Sequence, residues 1–239
     1  MDVTLDSIRD IQLYQSKIGY RFSVDALLLY NFVNLNKVHK IADLGAGSGI
    51  VGILLAKKYH SASVDLLEIQ ESLVTLAKKN VLLNGLEDRV KVIRRDLRTL
   101  SSLTSSPYKY DLVVSNPPFR KFSSGLISIG EEKAVARHEI KLNLNELIRA
   151  ASFCLREKGR LCMIYHPNRI SELIEKLRGK NLEPKRLRFV YSNTSSESKI
   201  ILLEAVKGGR TGLKVEKPFY VYKEDGRYSD EMHAIYNSE

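Results

Sequence analysis

The chain has 239 residues, 44% of them hydrophobic, enough to bury a sizeable core in one large or two small domains. A net charge of +10 favours an anionic partner, nucleic acid or a membrane surface. The start Met1-Asp-Val-Thr-Leu-Asp-Ser lacks the basic and apolar blocks of a signal peptide, and no uncharged apolar run approaches the ~20 residues that span a bilayer, so a cytoplasmic protein is expected. The polar segment Gly19-Tyr-Arg-Phe22 leads into a predicted helix from Ser23 or Asp25 to Val33, either residue being a suitable cap. Apolar runs then alternate with segments of helical period. Strand Lys40–Leu44 precedes helix Ile50–Tyr59, strand Ser63–Glu68 precedes helix Glu71–Leu83, and strands Val90–Ile93 and Tyr110–Ser115 follow. This βαβα order predicts a mostly parallel sheet with helices on both faces.

Further along, Leu144, Leu147, Ile148, Ala151 and Leu155 fall on one helical face, and the helix is expected to stop at Gly159. Strand Arg160–Tyr165 and a helix over 168–178 come next. Lys185–Tyr191 and Lys199–Val206 read as a hairpin with the Ser/Asn-rich tip 192–198. Cys154 and Cys162 lie in apolar segments and form no ligand cluster with the five histidines, so buried free thiols are expected, and no metal.

Two loops carry the chemistry. Asp43-Leu44-Gly45-Ala46-Gly47-Ser48-Gly49 joins the first sheet strand to its helix, where glycines permit positive φ and close approach of a ligand to the backbone. Such loops border the crevice in which α/β sheets bind nucleotide-like ligands, and Glu68, 25 residues beyond Asp43, ends the next strand where a carboxylate can hold ribose hydroxyls. The spacing Gly45-x-Gly47-x-Gly49 departs from the G-x-G-x-x-G of dinucleotide-binding domains, and a further acid, Asp96, follows the third strand. The second loop is Asn116-Pro117-Pro118-Phe119, directly after Tyr110–Ser115. Two prolines remove two backbone donors and fix two φ angles, and Pro117 pushes Asn116 towards an extended conformation. A rigid amide, an acceptor carbonyl and a ring can grip a flat molecule bearing an exocyclic amine; a plain proline turn after a buried strand is the alternative.

Together these motifs resemble the class I S-adenosylmethionine-dependent methyltransferases. The resemblance implies a Rossmann-like fold with a seven-stranded sheet and an antiparallel C-terminal strand, S-adenosyl-L-methionine as cofactor, and a cofactor site of Asp43, Gly45, Ala46, Gly47, Gly49, Glu68, Ile69, Asp96, Leu97 and Asn116. In it the glycine loop lies against the methionine part, Glu68 holds the ribose, Asp96 meets the adenine amino group and Leu97 flanks the ring. Read without the resemblance, Asp96 is a surface acid pairing with Arg94 or Arg95. Asn116-Pro117-Pro118-Phe119 looks like the motif of enzymes that methylate amines conjugated to a π system: adenine N6, cytosine N4, guanine N2 or a glutamine amide. In such enzymes the Asn side chain and the first Pro carbonyl accept the amine hydrogens, and the ring stacks on the base.

Tyr14 to Asp25, Ala136-Arg137-His138-Glu139 and Lys207-Gly208-Gly209 resemble the bacterial valine-tRNA adenine-37 N6-methyltransferase family over nearly the whole chain. By that resemblance Phe22, Ser23 and Asp25 cover the cofactor, and Phe119, Arg120, Lys121, Arg137 and His138 meet an RNA substrate. The chain then reads as a single methyltransferase domain over 1–239: a covering segment 1–35, a catalytic core 36–206 and a basic extension 207–239. Residues 180–223 hold ten Lys or Arg against four Glu, a surface suited to phosphates, although a charge run is also simply a solvated face. Phe119 stands where adenine-specific relatives more commonly carry Tyr and where guanine-N2 relatives often carry Phe. The expected activity is adenine-N6 methylation of a tRNA anticodon loop, with guanine-N2 methylation of rRNA as runner-up. A glutamine-amide methyltransferase would need more than the 42 residues that precede Asp43, and a non-catalytic RNA binder would have no use for both motifs.

Overall fold

The computed structural model describes residues 3–16, 24–100, 109–117 and 142–237. An N-terminal hairpin, β1 (Val3–Ile8) and β2 (Ile11–Ser16), precedes helix α1 (Val24–Phe32). The alternating part follows as β3 (Lys40–Leu44), α2 (Ile50–Lys58), β4 (Ser63–Glu68), α3 (Glu71–Leu83), β5 (Val90–Arg94), a 3-10 turn Leu97–Thr99 and β6 (Tyr110–Ser115). After it come α4 (Leu144–Cys154), β7 (Leu155–Tyr165), α5 (Ile170–Arg178), β8 (Leu182–Tyr191), β9 (Ser198–Lys207), the two-residue strands β10 (Lys214–Val215) and β11 (Phe219–Tyr220), and α6 (Asp230–Asn237).

The main sheet runs β10-β8-β9-β7-β6-β3-β4-β5, with β11 also paired to β8. β3 through β7 pair in parallel, and β9 lies antiparallel between β7 and β8. The seven-stranded pattern with one reversed strand is therefore present, widened at one margin by β10 and β11. Successive strand residues feed opposite cores, as a period of two requires. Ile41, Leu66, Leu112 and Val114 pack with α1, α2, α3 and α6, whereas Ala42, Leu44, Leu67 and Val113 pack with α4 and α5. From β3 the chain winds one way through β4 and β5 and then returns to the other side of β3 with β6. The crevice between the ends of β3 and β6 is thus the topological switch point where open α/β sheets bind ligands.

One expectation is corrected, and two segments carry elements that the sequence reading did not assign. The 144–155 helix does not run on towards Gly159: it ends at Cys154, and Leu155 already pairs with Tyr110 at the start of β7. Leu155 continues the apolar period of the helix while its backbone joins the sheet, and the ladder slips before Arg160 resumes opposite Leu112. Lys158 adopts φ 62, and a Cβ on Gly159 would stand 2.8 Å from the Arg156 carbonyl oxygen. The N-terminal hairpin lacks an Asn-Gly or Asp-Gly turn signal, since its two-residue turn is Arg9-Asp10 with Arg9 at φ 53. Past β9 the tail is built rather than merely basic, forming β10, β11 and α6.

Candidate active site

Asp43, next to last in β3, has only 2% of its surface exposed, and its carboxylate accepts a hydrogen bond from the Gly52 amide at 3.0 Å. Burial, opposed by that hydrogen bond and assisted by nearby Glu68, pushes its pKa up to about 7. The loop that follows bends through three left-handed glycines, Gly45 (φ 75), Gly47 (φ 58) and Gly49 (φ 89), a conformation that costs any other L-residue about 1–2 kcal/mol. Their surroundings differ. A side chain added at Gly49 would meet Leu66 at 2.9 Å, so this glycine serves helix–sheet packing. A Cβ added at Gly45 or Gly47 would meet nothing within 4 Å among the described residues, the open cradle that a cofactor lying on the backbone requires.

Glu68 is 6% exposed and its carboxylate is set by three backbone donors: Gly47 N–H at 2.9 Å on Oε2, and Ile69 and Gln70 N–H, each at 2.9 Å, on Oε1. Its link to Gly47 joins the acid at the end of β4 to the glycine loop, a coupling not visible in the spacing of the two. Ala46 is buried, and the Gly45 and Ala46 amides both donate to the Leu67 carbonyl. Asp96 caps the 3-10 turn, accepting from Arg98 N–H at 2.9 Å and from the Arg98 guanidinium. These Arg98 hydrogen bonds hold its carboxyl below the usual range. The pairing expected with Arg94 or Arg95 is replaced by one with Arg98, because the turn brings position i+2 over the carboxylate. Leu97, buried, begins that turn.

On the other side of the switch point Asn116 and Pro117 follow β6. Asn116 lines one pocket with Asp43, Gly45, Ala46, Gly47 and Ser48, and Ala26 of α1 closes it. The geometry thus brings the glycine loop and Asn116 together, although 66 residues or more separate Asn116 from Ile50 at the loop's far end. Asp25 lies in the first turn of α1 beside Ala26. Phe22, Ser23, Pro118, Phe119, Arg120, Lys121, Arg137 and His138 lie outside the described residues.

Three supporting residues escaped the sequence reading. Ser115 Oγ donates to the Leu44 carbonyl at 2.7 Å, fixing the end of β6 to the end of β3. Asn80, fully buried on α3, accepts from Tyr14 N–H at 2.7 Å and donates to the Tyr14 carbonyl at 3.1 Å and the Ser48 carbonyl at 2.9 Å. One turn later Asn84 does the same for Gln12, at 3.0 Å and 2.7 Å. Two amides at i and i+4 therefore complete the open edge of β2, and Asn80 also holds the glycine loop. The Asn-x-x-x-Asn-Gly spacing at 80–85 is the signal that could have pointed to them.

Comparison with known proteins agrees with this geometry. Residues 23–183 match the family model described as the methyltransferase small domain. A Porphyromonas gingivalis protein named tRNA1(Val) (adenine(37)-N6)-methyltransferase is 30% identical over 210 residues, covering 85% of this chain and 81% of the relative. A protein of the same name from Dyadobacter fermentans is 25% identical over 229 residues, covering 93% and 92%. Among solved structures, one described as a predicted O-methyltransferase from Agrobacterium tumefaciens superposes with TM-score 0.72 at 21% identity, covering 89% of this chain and 95% of its own, a likeness of fold alone. With the glycine cradle, Glu68 and Asn116 all falling inside the matched span, the chain belongs to the methyltransferase small domain family and, within it, to the family of the tRNA1(Val) (adenine(37)-N6)-methyltransferases, and is an S-adenosyl-L-methionine-dependent methyltransferase.

Proposed function

We propose that the protein methylates the N6 amine of an unpaired adenine, adenine-37 of a tRNA anticodon loop, in the cytoplasm. The observation that carries the chemistry is the shared pocket: Asn116 stands against the glycine cradle at the switch point. The relatives' names support the choice of base and RNA. Gly45 and Gly47 would receive the methionine part of the cofactor on open backbone, Glu68 the ribose, and Asp96 with Leu97 the adenine ring. Bound there, the cofactor supplies an electrophilic methyl group.

The target amine is a poor nucleophile because its lone pair is delocalised into the ring. The Asn116 Oδ1 and the Pro117 carbonyl, accepting its two hydrogens, would favour a pyramidal nitrogen and stabilise the positive charge that develops on it. Orientation and electrostatics then supply the rate, with no strong base needed. Phe119 is the proposed stacking partner of the base, which must be unpaired or leave its stack. Arg120, Lys121, Arg137 and His138 are proposed RNA contacts. Among the described residues no helix is long and apolar enough to cross a membrane.

Incubation with labelled cofactor and total tRNA, rRNA fragments or release-factor protein, followed by mass spectrometry, tests the reading. N6-methyladenosine in tRNA is expected; N2-methylguanosine or methylglutamine as the sole product would overturn it. Asn116→Ala should lower kcat about 10²–10³-fold while cofactor affinity, measured by calorimetry, is retained. Turnover at the wild-type rate would remove Asn116 from the catalytic role.

A further inference from the structure

The C-terminal segment builds a second feature at the same end of the sheet as the methyl-transfer cleft. β11 runs parallel to β8, and both β8 and β7 run antiparallel to β9, so the carboxyl ends of β6, β7, β8 and β11 share that end. Just past β11, Tyr222 stacks on Tyr228 with ring centroids 5.3 Å apart and planes 13° from parallel. Tyr228 in turn stacks on Tyr236 of α6 at 5.3 Å and 21°. Tyr222 ends the column: Tyr228 covers one face, the residue is 38% exposed, and among the described residues no ring meets the other face. The column borders an open concavity of ≈ 640 Å³.

The charges around it are already matched. Lys223 pairs with Asp230 at 2.5 Å and Arg227 with Asp225 at 2.6 Å. Each cation already faces a carboxylate, which weakens its pull on a phosphate, whereas a flat ring stacking on Tyr222 displaces only water. Packing of α6 against the body accounts for Tyr236, and Tyr236 with Tyr228 would suffice for it. An exposed parallel ring at the end of the stack adds a surface for another planar group. From β6 to β11 is four strand spacings, roughly 19 Å, a distance that two bases several nucleotides apart in one RNA loop can cover. The match to the methyltransferase small domain stops at residue 183, so the column lies outside the portion matched by that broader family.

We propose that the exposed face of Tyr222 is a stacking subsite for an unpaired base of the substrate RNA, distinct from the base that is methylated. The proposal rests on RNA being the substrate, and it assigns to the C-terminal segment a share in choosing which RNA is bound. Base–aromatic stacking tolerates any base, so the subsite reads the presence and position of a splayed nucleotide rather than its identity. Because no phosphate is held there, its contribution should not depend on salt, unlike that of a basic surface.

The test uses the full chain and a labelled RNA hairpin whose loop contains an unpaired adenine, with affinities measured by fluorescence anisotropy over a range of salt. Tyr222→Ala should weaken binding about tenfold with the slope of log affinity against log salt unchanged, and Tyr222→Phe should bind within twofold of wild type. Cofactor affinity should be the same in all three. Wild-type RNA affinity in Tyr222→Ala, or a loss accompanied by a shallower salt slope, would overturn the subsite. So would an altered sedimentation mass with unaltered RNA affinity, which would make the column a contact between two copies. If no RNA is methylated yet hairpin binding depends on Tyr222, the methylation reading falls and the subsite stands. If wild type methylates RNA and Tyr222→Ala matches it at subsaturating RNA, the reverse holds.

Discussion

On the β3–β4 side of the sheet buried carboxylates are held by backbone N–H groups, whereas on the β7–β9–β8 side they are held by guanidinium groups. Asp43 and Glu68 receive their hydrogen bonds from Gly52, Gly47, Ile69 and Gln70 amides. Glu204, 1% exposed in the middle of β9, sits between Arg160 and Arg186, and Arg186 reaches on to Glu216 at 2.7 Å. Backbone donors orient a carboxylate without cancelling its charge, which leaves it directed at a ligand; a guanidinium cancels the charge and turns the acid into a structural tie. The same contrast revises the basic tail. Of the ten Lys and Arg in 180–223, Arg186, Arg188 and Lys223 are bound in ion pairs, and Lys207 donates to the Ser152 and Leu155 carbonyls. Arg186, Arg188 and Lys207 thereby close the fold and are less on offer to phosphates, whereas the exposed Lys223 pair is a surface contact.

If the β9 ion pairs are structural, Glu204→Ala should cost about 3 kcal/mol in denaturant unfolding, by removing the buried partner of both arginines and leaving Arg186 with Glu216 and Arg160 with solvent, while cofactor affinity stays at the wild-type value. A loss of cofactor binding out of proportion to stability would blur the contrast between the two sides. Asp43 gives a different signature. Its folded pKa of about 7 lies above the ordinary 3.8, so ionising it opposes folding: its contribution is intact below pH 4, falls away as pH rises towards 7 and is flat beyond. Asp43→Asn should therefore unfold like wild type near pH 4 and be on the order of 2–4 kcal/mol more stable above pH 7 without cofactor, with cofactor affinity reduced. Equal stability of the two proteins at pH 8 would show that Asp43 is not strained by burial.

A smaller effect probes how the hairpin and the loop are joined. Asn80→Asp keeps the oxygen that accepts from Tyr14 but removes both donors, so the Tyr14 and Ser48 carbonyls each lose a partner. A stability loss of about 1–3 kcal/mol is expected, with KM for the cofactor raised more than kcat is lowered, since the displaced atoms border the glycine cradle. Asn80→Gln should not restore it, because the longer amide cannot reach the same three groups. An unchanged KM would make Asn80 a tie for the hairpin alone.

Much of this site was legible before the fold. The alternation of strand and helix patterns, the Asp43 to Gly49 loop, Glu68, Asp96 and Asn116 are all local: each depends on a residue type at a strand end, and strand ends show in a short window of sequence. The hairpin at 3–16 has the right alternation but no turn signal, and two strands alone are marginal; it needs Asn80 and Asn84 to complete its edge. Those amides bond partners 66 and 72 residues away, so their Asn-x-x-x-Asn-Gly spacing can mark them as a pair but cannot name the strand they hold.

By itself, then, the sequence determined the class of chemistry, because the groups proposed to cradle a nucleotide-like cofactor and to align an amine are specified by residue type and spacing within single loops. Only the tertiary structure decided which cations remain available, that Glu68 steers Gly47, and that Tyr222, Tyr228 and Tyr236 form one column. The Glu68–Gly47 link joins segments distant in sequence, and the tyrosines, although near one another in the chain, stack only because the turn after β11 and the packing of α6 bring their rings together.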